Sequence, residues 1–135
     1  MSIPSPEIDE TNRWYWEGLA IGELRYQHCR HCDHVWLPPT EECSQCLLAD
    51  WEVLVASGEA TLVSWVRFHV ATHPAFADRI PYNVAVVRLV EGPTTVTNLI
   101  DIADWESVRS TIPLQLLVQE DDGIYLARFA PARGS

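Results

Sequence analysis

The chain has 135 residues, which suits one domain or one domain with a small appendage. Its hydrophobic fraction of 47% is ordinary for a globular protein, and no stretch reaches the roughly 20 apolar residues that span a bilayer. The net charge is −10 and the nine basic residues, all arginines, are scattered, so no basic stripe is available to bind nucleic acid.

An N-terminal helical segment is predicted over residues 1–22, with a short helix at 7–21 capped by Asp9 or Thr11. A helix of this length is not stable alone and must pack on something. It carries three consecutive aromatic residues, Trp14, Tyr15 and Trp16. Because a helix cannot point three adjacent residues at one core, we expect some of this aromatic surface to contact a partner protein.

All four cysteines follow within one short stretch, as two C-x-x-C pairs separated by ten residues. They are Cys29, Cys32, Cys43 and Cys46. The N-terminal residues lack a signal-peptide pattern, so we expect a cytoplasmic protein, and a reducing compartment favours metal binding over disulfides. Two facing pairs supply four thiolates for a closed, tetrahedral zinc site, which is typical of a structural role.

Other uses of these cysteines remain open from the sequence. Iron could occupy the same four-sulfur geometry and would make the protein an electron carrier. A thiol–disulfide redox centre fits less well, because it uses one C-x-x-C at a helix start rather than two facing pairs. Three histidines, His28, His31 and His34, crowd the site. With four thiols present, we expect these rings to face solvent or to surround the metal site without binding the metal.

Strands are predicted on both sides of the cysteines, at 24–29 and 49–57, so a zinc ribbon is assigned to residues 23–56. Five further strands are predicted, at 59–70, 82–90, 94–102, 114–119 and 124–129. One helical turn, capped near Asp104, separates the third of these from the fourth. This order is typical of a mainly β, five-stranded OB-type barrel over residues 57–135, with a small sandwich as the alternative.

The first barrel strand alternates, and strict alternation assigns its side chains to two faces. One face holds Ala60, Leu62, Ser64, Val66, Phe68 and Val70. The other holds Thr61, Val63, Trp65, Arg67 and His69.

The loop at 71–82 is long for a barrel connection and carries Phe76, Arg79 and Tyr82. An arginine beside aromatic rings could contact the adenine or a phosphate of CoA, or anchor the loop to a partner. The aromatic rings could equally just close the barrel end.

No catalytic residue is identified. All four cysteines are assigned to the metal, which leaves no free thiol nucleophile. His69 and His73, with Asp78 nearby, could form a general-base pair, but a loop histidine before proline is usually solvated.

The chain resembles the acyl-CoA-associated OB-fold proteins that carry an N-terminal rubredoxin-like zinc ribbon. The resemblance covers nearly the whole chain and is carried by RWYWEGL, GELRYQHCRHC, WLPPTEECSQC and WEVLVASGEATLVSWVRFH. It implies a non-catalytic accessory subunit in a hetero-oligomer, around a dimer of a thiolase-like enzyme or of an aldolase that shortens steroid side chains. Such a subunit stabilises its partner and helps to shape the acyl-CoA site. Other members pair with hot-dog-fold enoyl-CoA hydratases, which is the first alternative. A nucleic-acid-binding zinc-ribbon and OB module is the second, because both folds serve that role widely, although the acidic charge argues against it.

Two positions depart from the family pattern. Asp33 and Leu47 follow the two C-x-x-C pairs where the family usually has glycine, and Leu tolerates positive φ poorly. The segment Thr111-Ile112-Pro113 replaces a glycine before the fourth barrel strand. We therefore expect a looser or different second turn around the metal and an altered turn before that strand.

Overall fold

The computed structural model describes residues 8–68, 82–121 and 123–132. They form one α-helix, α1 (Arg13–Ala20), and a short 3₁₀ helix (Trp105–Ser107). The strands are β1 (Arg25–Cys29), β2 (Val35–Trp36), β3 (Trp51–Val55), β4 (Glu59–Phe68), β5 (Tyr82–Leu89), β6 (Thr94–Leu99), β7 (Pro113–Asp121) and β8 (Ile124–Pro131). The mainly β architecture predicted from the sequence is confirmed. No helix in these ranges has the length and apolar character that a membrane crossing requires.

The first three strands form a small antiparallel sheet in the order β2-β1-β3. Its central strand carries Gln27, whose side chain is fully buried. The Gln27 amide donates to the Thr40 carbonyl at 2.8 Å and accepts the Thr40 N–H at 2.9 Å. Both polar ends of the side chain are thereby satisfied, and they hold the loop that leads to the second cysteine pair.

The remaining five strands close into a barrel in the order β4-β5-β6-β8-β7. Every pairing is antiparallel except that of β6 with β8. This topology confirms the OB-type barrel and excludes the sandwich. Its interior is filled by Leu62, Val87, Leu89, Leu114 and Phe129, each at most 1% exposed.

A β-bulge between Leu62 and Ser64 breaks the alternation of β4. Ala60 and Leu62 are buried, but Ser64 and Val66, which were assigned to the same face, are exposed. Trp65 takes the inward position and packs against the core. The single-face assignment of this strand is therefore wrong at Ser64 and Val66, because a bulge inserts one extra residue and so reverses which side the next residues face. His69 and Val70 lie outside the described residues.

The helix begins at Arg13 rather than near residue 7. Asn12 occupies its N-cap position and makes no side-chain capping bond. Asp9 instead accepts the N–H groups of Thr11 and Asn12, at 2.9 and 3.2 Å. The predicted caps are wrong, because the Asp9 carboxylate stabilises a turn that precedes the helix. The helical turn predicted near Asp104 is confirmed, with the Asp104 carboxylate accepting the Glu106 N–H at 3.0 Å.

The segment between β3 and β4 joins the small sheet to the barrel without a long linker. The Ala56 N–H donates to the Leu24 carbonyl at 2.8 Å, and the Leu116 N–H donates to the Gly58 carbonyl at 2.8 Å. Gly58 has φ +96°, and a Cβ there would lie 3.0 Å from the Gln115 amide nitrogen. The close approach and the positive φ together explain glycine at this junction.

Candidate metal centre

The two C-x-x-C segments form turns with the same backbone hydrogen bonds. The Asp33 N–H donates to the Cys29 carbonyl at 3.0 Å, and the Leu47 N–H donates to the Cys43 carbonyl at 2.9 Å. Asp33 and Leu47 have φ values of 64° and 62°. The expectation of a different second turn is wrong, because Leu47 accepts the left-handed conformation that glycine would take. Thr111 does the same before β7, with φ 72°.

These turns bring the four cysteine sulfurs to one point, all within 4.8 Å of one another. The Sγ atoms of Cys29 and Cys46 are 3.5 Å apart, and those of Cys32 and Cys43 are 3.6 Å apart. A tetrahedral zinc site with Zn–S bonds of about 2.3 Å has sulfur–sulfur distances of about 3.8 Å, so the residues fit this ion. The N–H groups of His31 and Cys32 both point at the Cys29 sulfur at 3.4 Å, which stabilises a thiolate.

The donor set supports structural Zn²⁺, as the spacing predicts. Zinc bound by these four thiolates would hold the two turns together and would have no open coordination position for water or substrate. Cys29 and Cys43 are fully buried, whereas Cys32 is exposed. Trp36 and Trp51 pack against the buried sulfurs and form a second, smaller core separate from that of the barrel.

The three histidines lie around this cluster and are not part of it. His28 is half-buried, and its two ring nitrogens contact carboxylates of Glu52 at 2.8 Å and Asp33 at 3.1 Å. His34 stacks on Trp36 with a ring separation of 5.6 Å. His31 is exposed. The geometry supports the four thiols as the ligand group, and the expectation that the three rings do not bind the metal stays a prediction.

The aromatic residues of α1 are all half-buried and pack against the main core. The ring centres of Trp14 and of Trp51 in the small sheet are 6.0 Å apart, whereas Tyr15 lies near Arg128 of the barrel. Burial raises the pKa of Tyr15 to about 12, and the positive charge of Arg128 opposes this shift. Adjacent rings of the helix thus face two different parts of the chain, the small sheet and the barrel. The sequence-based expectation considered only one core and did not anticipate this arrangement. A partner contact at Trp14, Tyr15 and Trp16 stays a prediction.

Most of the residues singled out in the 71–82 loop lie outside the described part of the chain. Phe76 and Arg79 lie outside the described residues, as do His69, His73 and Asp78. Tyr82 begins β5, where its backbone pairs with Phe68 of β4.

One contact at the same end of the barrel was missed from the sequence. The guanidinium of Arg67, on β4, lies 4.7 Å from the ring centre of Trp105. The two residues are far apart in the chain and share no motif, so only the folded barrel reveals this cation–π pair.

Two family models match the chain: the ChsH2 rubredoxin-like zinc ribbon domain over residues 16–52 and the ChsH2 C-terminal OB-fold domain over residues 55–117. A chain in the solved structure of the Ltp2-ChsH2(DUF35) aldolase is 34% identical, with a TM-score of 0.82 over 94% of this chain and 98% of that one. A DUF35-family protein of unknown function from Sulfolobus solfataricus shares the fold, at 13% identity and a TM-score of 0.66 over 91% of this chain and 86% of that one.

A curated relative is larger. The probable enoyl-CoA hydratase alpha subunit of Thermomonospora curvata is 34% identical over 130 residues, which are 96% of this chain and 40% of that protein. The chain therefore spans less than half the length of this relative.

Proposed function

The chain belongs to the ChsH2 family of zinc-ribbon and OB-fold proteins, and we propose that it is a non-catalytic accessory subunit of an acyl-CoA-processing enzyme. The partner is a thiolase-like enzyme of the retro-aldolase type, and the two chains form a hetero-oligomer around a partner dimer. The substrate is an acyl-CoA thioester from the breakdown of a steroid or another lipid side chain, and it binds at a site that both subunits shape.

The likeness to the Ltp2-ChsH2(DUF35) aldolase chain carries this proposal. It extends over 98% of that chain and therefore includes both the ribbon and the barrel. The metal cluster supports the non-catalytic role, since its four thiols are the only cysteines in the sequence and they close one shell. The charge of −10 supports a protein partner over a nucleic acid.

A hydratase complex is the second candidate, and the Thermomonospora curvata relative favours it. In that protein the matched region is 40% of a longer chain.

The test is co-expression of the tagged chain with an Ltp2-like thiolase subunit and, separately, with a hot-dog-fold hydratase. We expect a stable complex with the first that cleaves a β-hydroxyacyl-CoA by retro-aldol reaction. Complex formation with the hydratase alone would replace the first candidate by the second. Failure of both partners to bind would contradict the proposed function.

A further inference from the structure

The four cysteines of the metal cluster differ in their exposure to solvent. Cys29 and Cys43 are fully buried and form a small core with Trp36. Cys46 is half-buried and packs against this core. Cys32 is exposed, and it is the one thiol of the cluster that the small core leaves out. A small molecule that arrives from solvent therefore reaches the Cys32 sulfur first.

Exposure matters because a thiol that binds zinc does so as a thiolate. Thiolate character and access to solvent are the two properties that make a cysteine easy to oxidise. Cys29 and Cys43 lack the second property. The Cys29 sulfur also lies 3.4 Å from the N–H groups of His31 and Cys32, and hydrogen bonds that stabilise a thiolate lower its nucleophilicity. Of the four ligands, Cys32 is therefore the one best placed to react.

A second thiol lies next to Cys32. The Sγ atoms of Cys32 and Cys43 are 3.6 Å apart, although the two residues belong to different C-x-x-C turns. Cysteines that respond to oxidants are typically accessible to solvent and have a neighbouring thiol that completes a disulfide. The pair Cys32 and Cys43 has this arrangement, with the exposed sulfur outside and the buried sulfur behind it.

The fold confines the effect of losing these ligands to the cysteine turns. The small core around the sulfurs is separate from the main core, which includes Tyr26 of β1 and the barrel residues Leu62 and Phe129. A disulfide between Cys32 and Cys43 removes two of the four ligands, and a structural site needs all four. The two turns then lose their common anchor, while the packing of β1 against the barrel remains.

We propose that Cys32 is an oxidation site, at which hydrogen peroxide converts the metal-binding centre into a metal-free disulfide form. The Cys32 thiolate attacks the peroxide, an S–O bond forms as the O–O bond breaks, and hydroxide leaves. The Cys43 thiolate then attacks the sulfenic sulfur, an S–S bond forms, and the second hydroxide leaves. Two thiolates are oxidised by two electrons in total, and one peroxide is reduced to two hydroxide ions. This inference concerns the chain by itself and does not rest on the proposed function.

The experiment follows zinc release from the zinc-loaded chain under hydrogen peroxide, with a chromogenic chelator as the readout. Cys32→His removes the exposed thiol and keeps four ligands, since three cysteines and one histidine also form structural zinc sites. Cys46→His is the matched control, because it has the same ligand types and retains Cys32. We expect the peroxide-dependent rate to fall about tenfold for Cys32→His and to stay at least at the wild-type rate for Cys46→His.

Mapping of the wild-type chain gives a second measurement that does not need either variant to bind zinc. After limited oxidation, tandem mass spectrometry should find a dimedone-trapped sulfenic acid at Cys32 and, without dimedone, a disulfide between Cys32 and Cys43. Dithiothreitol and added zinc should restore the metal-loaded form. Circular dichroism should retain the barrel's β signal throughout.

Four outcomes would overturn the proposal. They are first oxidation at another cysteine, a disulfide other than that between Cys32 and Cys43, equal slowing of zinc release in both histidine variants, and no zinc release at peroxide concentrations that oxidise free cysteine. Each of them leaves the accessory function untouched, because no partner subunit takes part in the experiment.

Discussion

The Glu91 carboxylate accepts the backbone N–H of Ser57 at 2.7 Å and so ties the turn between β5 and β6 to the segment that joins the small sheet to the barrel. Its other oxygen is buried and has no hydrogen-bond partner among the described residues. Burial, and secondarily the charge of Glu91, raises the pKa of the neighbouring Tyr26 phenol. One side chain thus connects the metal-binding part of the chain to the barrel.

Replacing Glu91 with alanine should lower the free energy of unfolding by about 2 kcal/mol, because a charge-assisted hydrogen bond is lost and the Ser57 N–H loses its partner. Glu91→Gln keeps an acceptor oxygen and should cost less than half as much. Urea titration of both variants measures this, with Glu59→Ala, at an exposed position, as the control. An alanine variant as stable as the wild type would show that the connection does not contribute.

Replacing Cys43 with serine should abolish stoichiometric zinc binding, because this buried sulfur completes the ligand set. Structural zinc in small domains contributes on the order of 10 kcal/mol, comparable to the whole stability of a small protein. Elemental analysis of the wild-type chain should give one zinc per chain. Circular dichroism of the variant should retain the barrel's β signal while the ribbon is lost. Iron in carefully prepared wild-type protein would contradict the zinc assignment.

Replacing Leu47 with glycine should stabilise the protein. Leu47 is 68% exposed, so little burial is lost, and its positive φ costs a non-glycine residue about 1–2 kcal/mol. The greater freedom of glycine in the unfolded chain offsets part of this, which leaves a net gain of about 0.5–1 kcal/mol. Leu48→Gly is the control, since Leu48 is exposed without positive φ and should not gain stability. Chemical denaturation of the zinc-loaded proteins measures the unfolding free energy of both variants. Equal changes for Leu47→Gly and Leu48→Gly would show that Leu47 is not strained.

The Tyr15 phenol should make the fold sensitive to alkali. Its pKa is near 10 in an unfolded chain and about 12 in the folded protein, because burial disfavours the charged form. Its contribution to stability is therefore complete below pH 10 and is lost as the pH rises through 12, an effect on the order of 2 kcal/mol. Tyr15→Phe removes the ionisable group, so its stability should fall less between pH 10 and 12. The difference in unfolding free energy between the two proteins at pH 8 serves as the baseline. A difference that stays the same up to pH 12 would argue against this role of Tyr15.

The sequence was sufficient for the features that depend on spacing. Two C-x-x-C pairs and five strands separated by turn residues predict the metal centre and the closed barrel. Alternation failed in β4, because the bulge after Leu62 has no marker in the residues beside it. The outward position of Val66 depends on that bulge and could not have been predicted.

The sequence also could not predict positive φ at residues whose type disfavours that conformation. Leu47 and Thr111 adopt positive φ because the surrounding hydrogen bonds require it, although neither residue favours that conformation alone. The sequence predicted that the three adjacent aromatic side chains of α1 could not all pack into one core. The helix lies where Trp14 reaches Trp51 and Tyr15 approaches Arg128, and this arrangement depends on tertiary packing rather than on helical periodicity.

The accessory role is tested most directly by assaying acyl-CoA turnover with three samples: the purified chain alone, the thiolase-like subunit alone, and the two co-purified, with the mass of each species measured by light scattering. We predict no turnover by the chain alone and a single active hetero-oligomer when both are present. A chain that stays monomeric beside its candidate partners and converts an acyl-CoA without them would contradict the account.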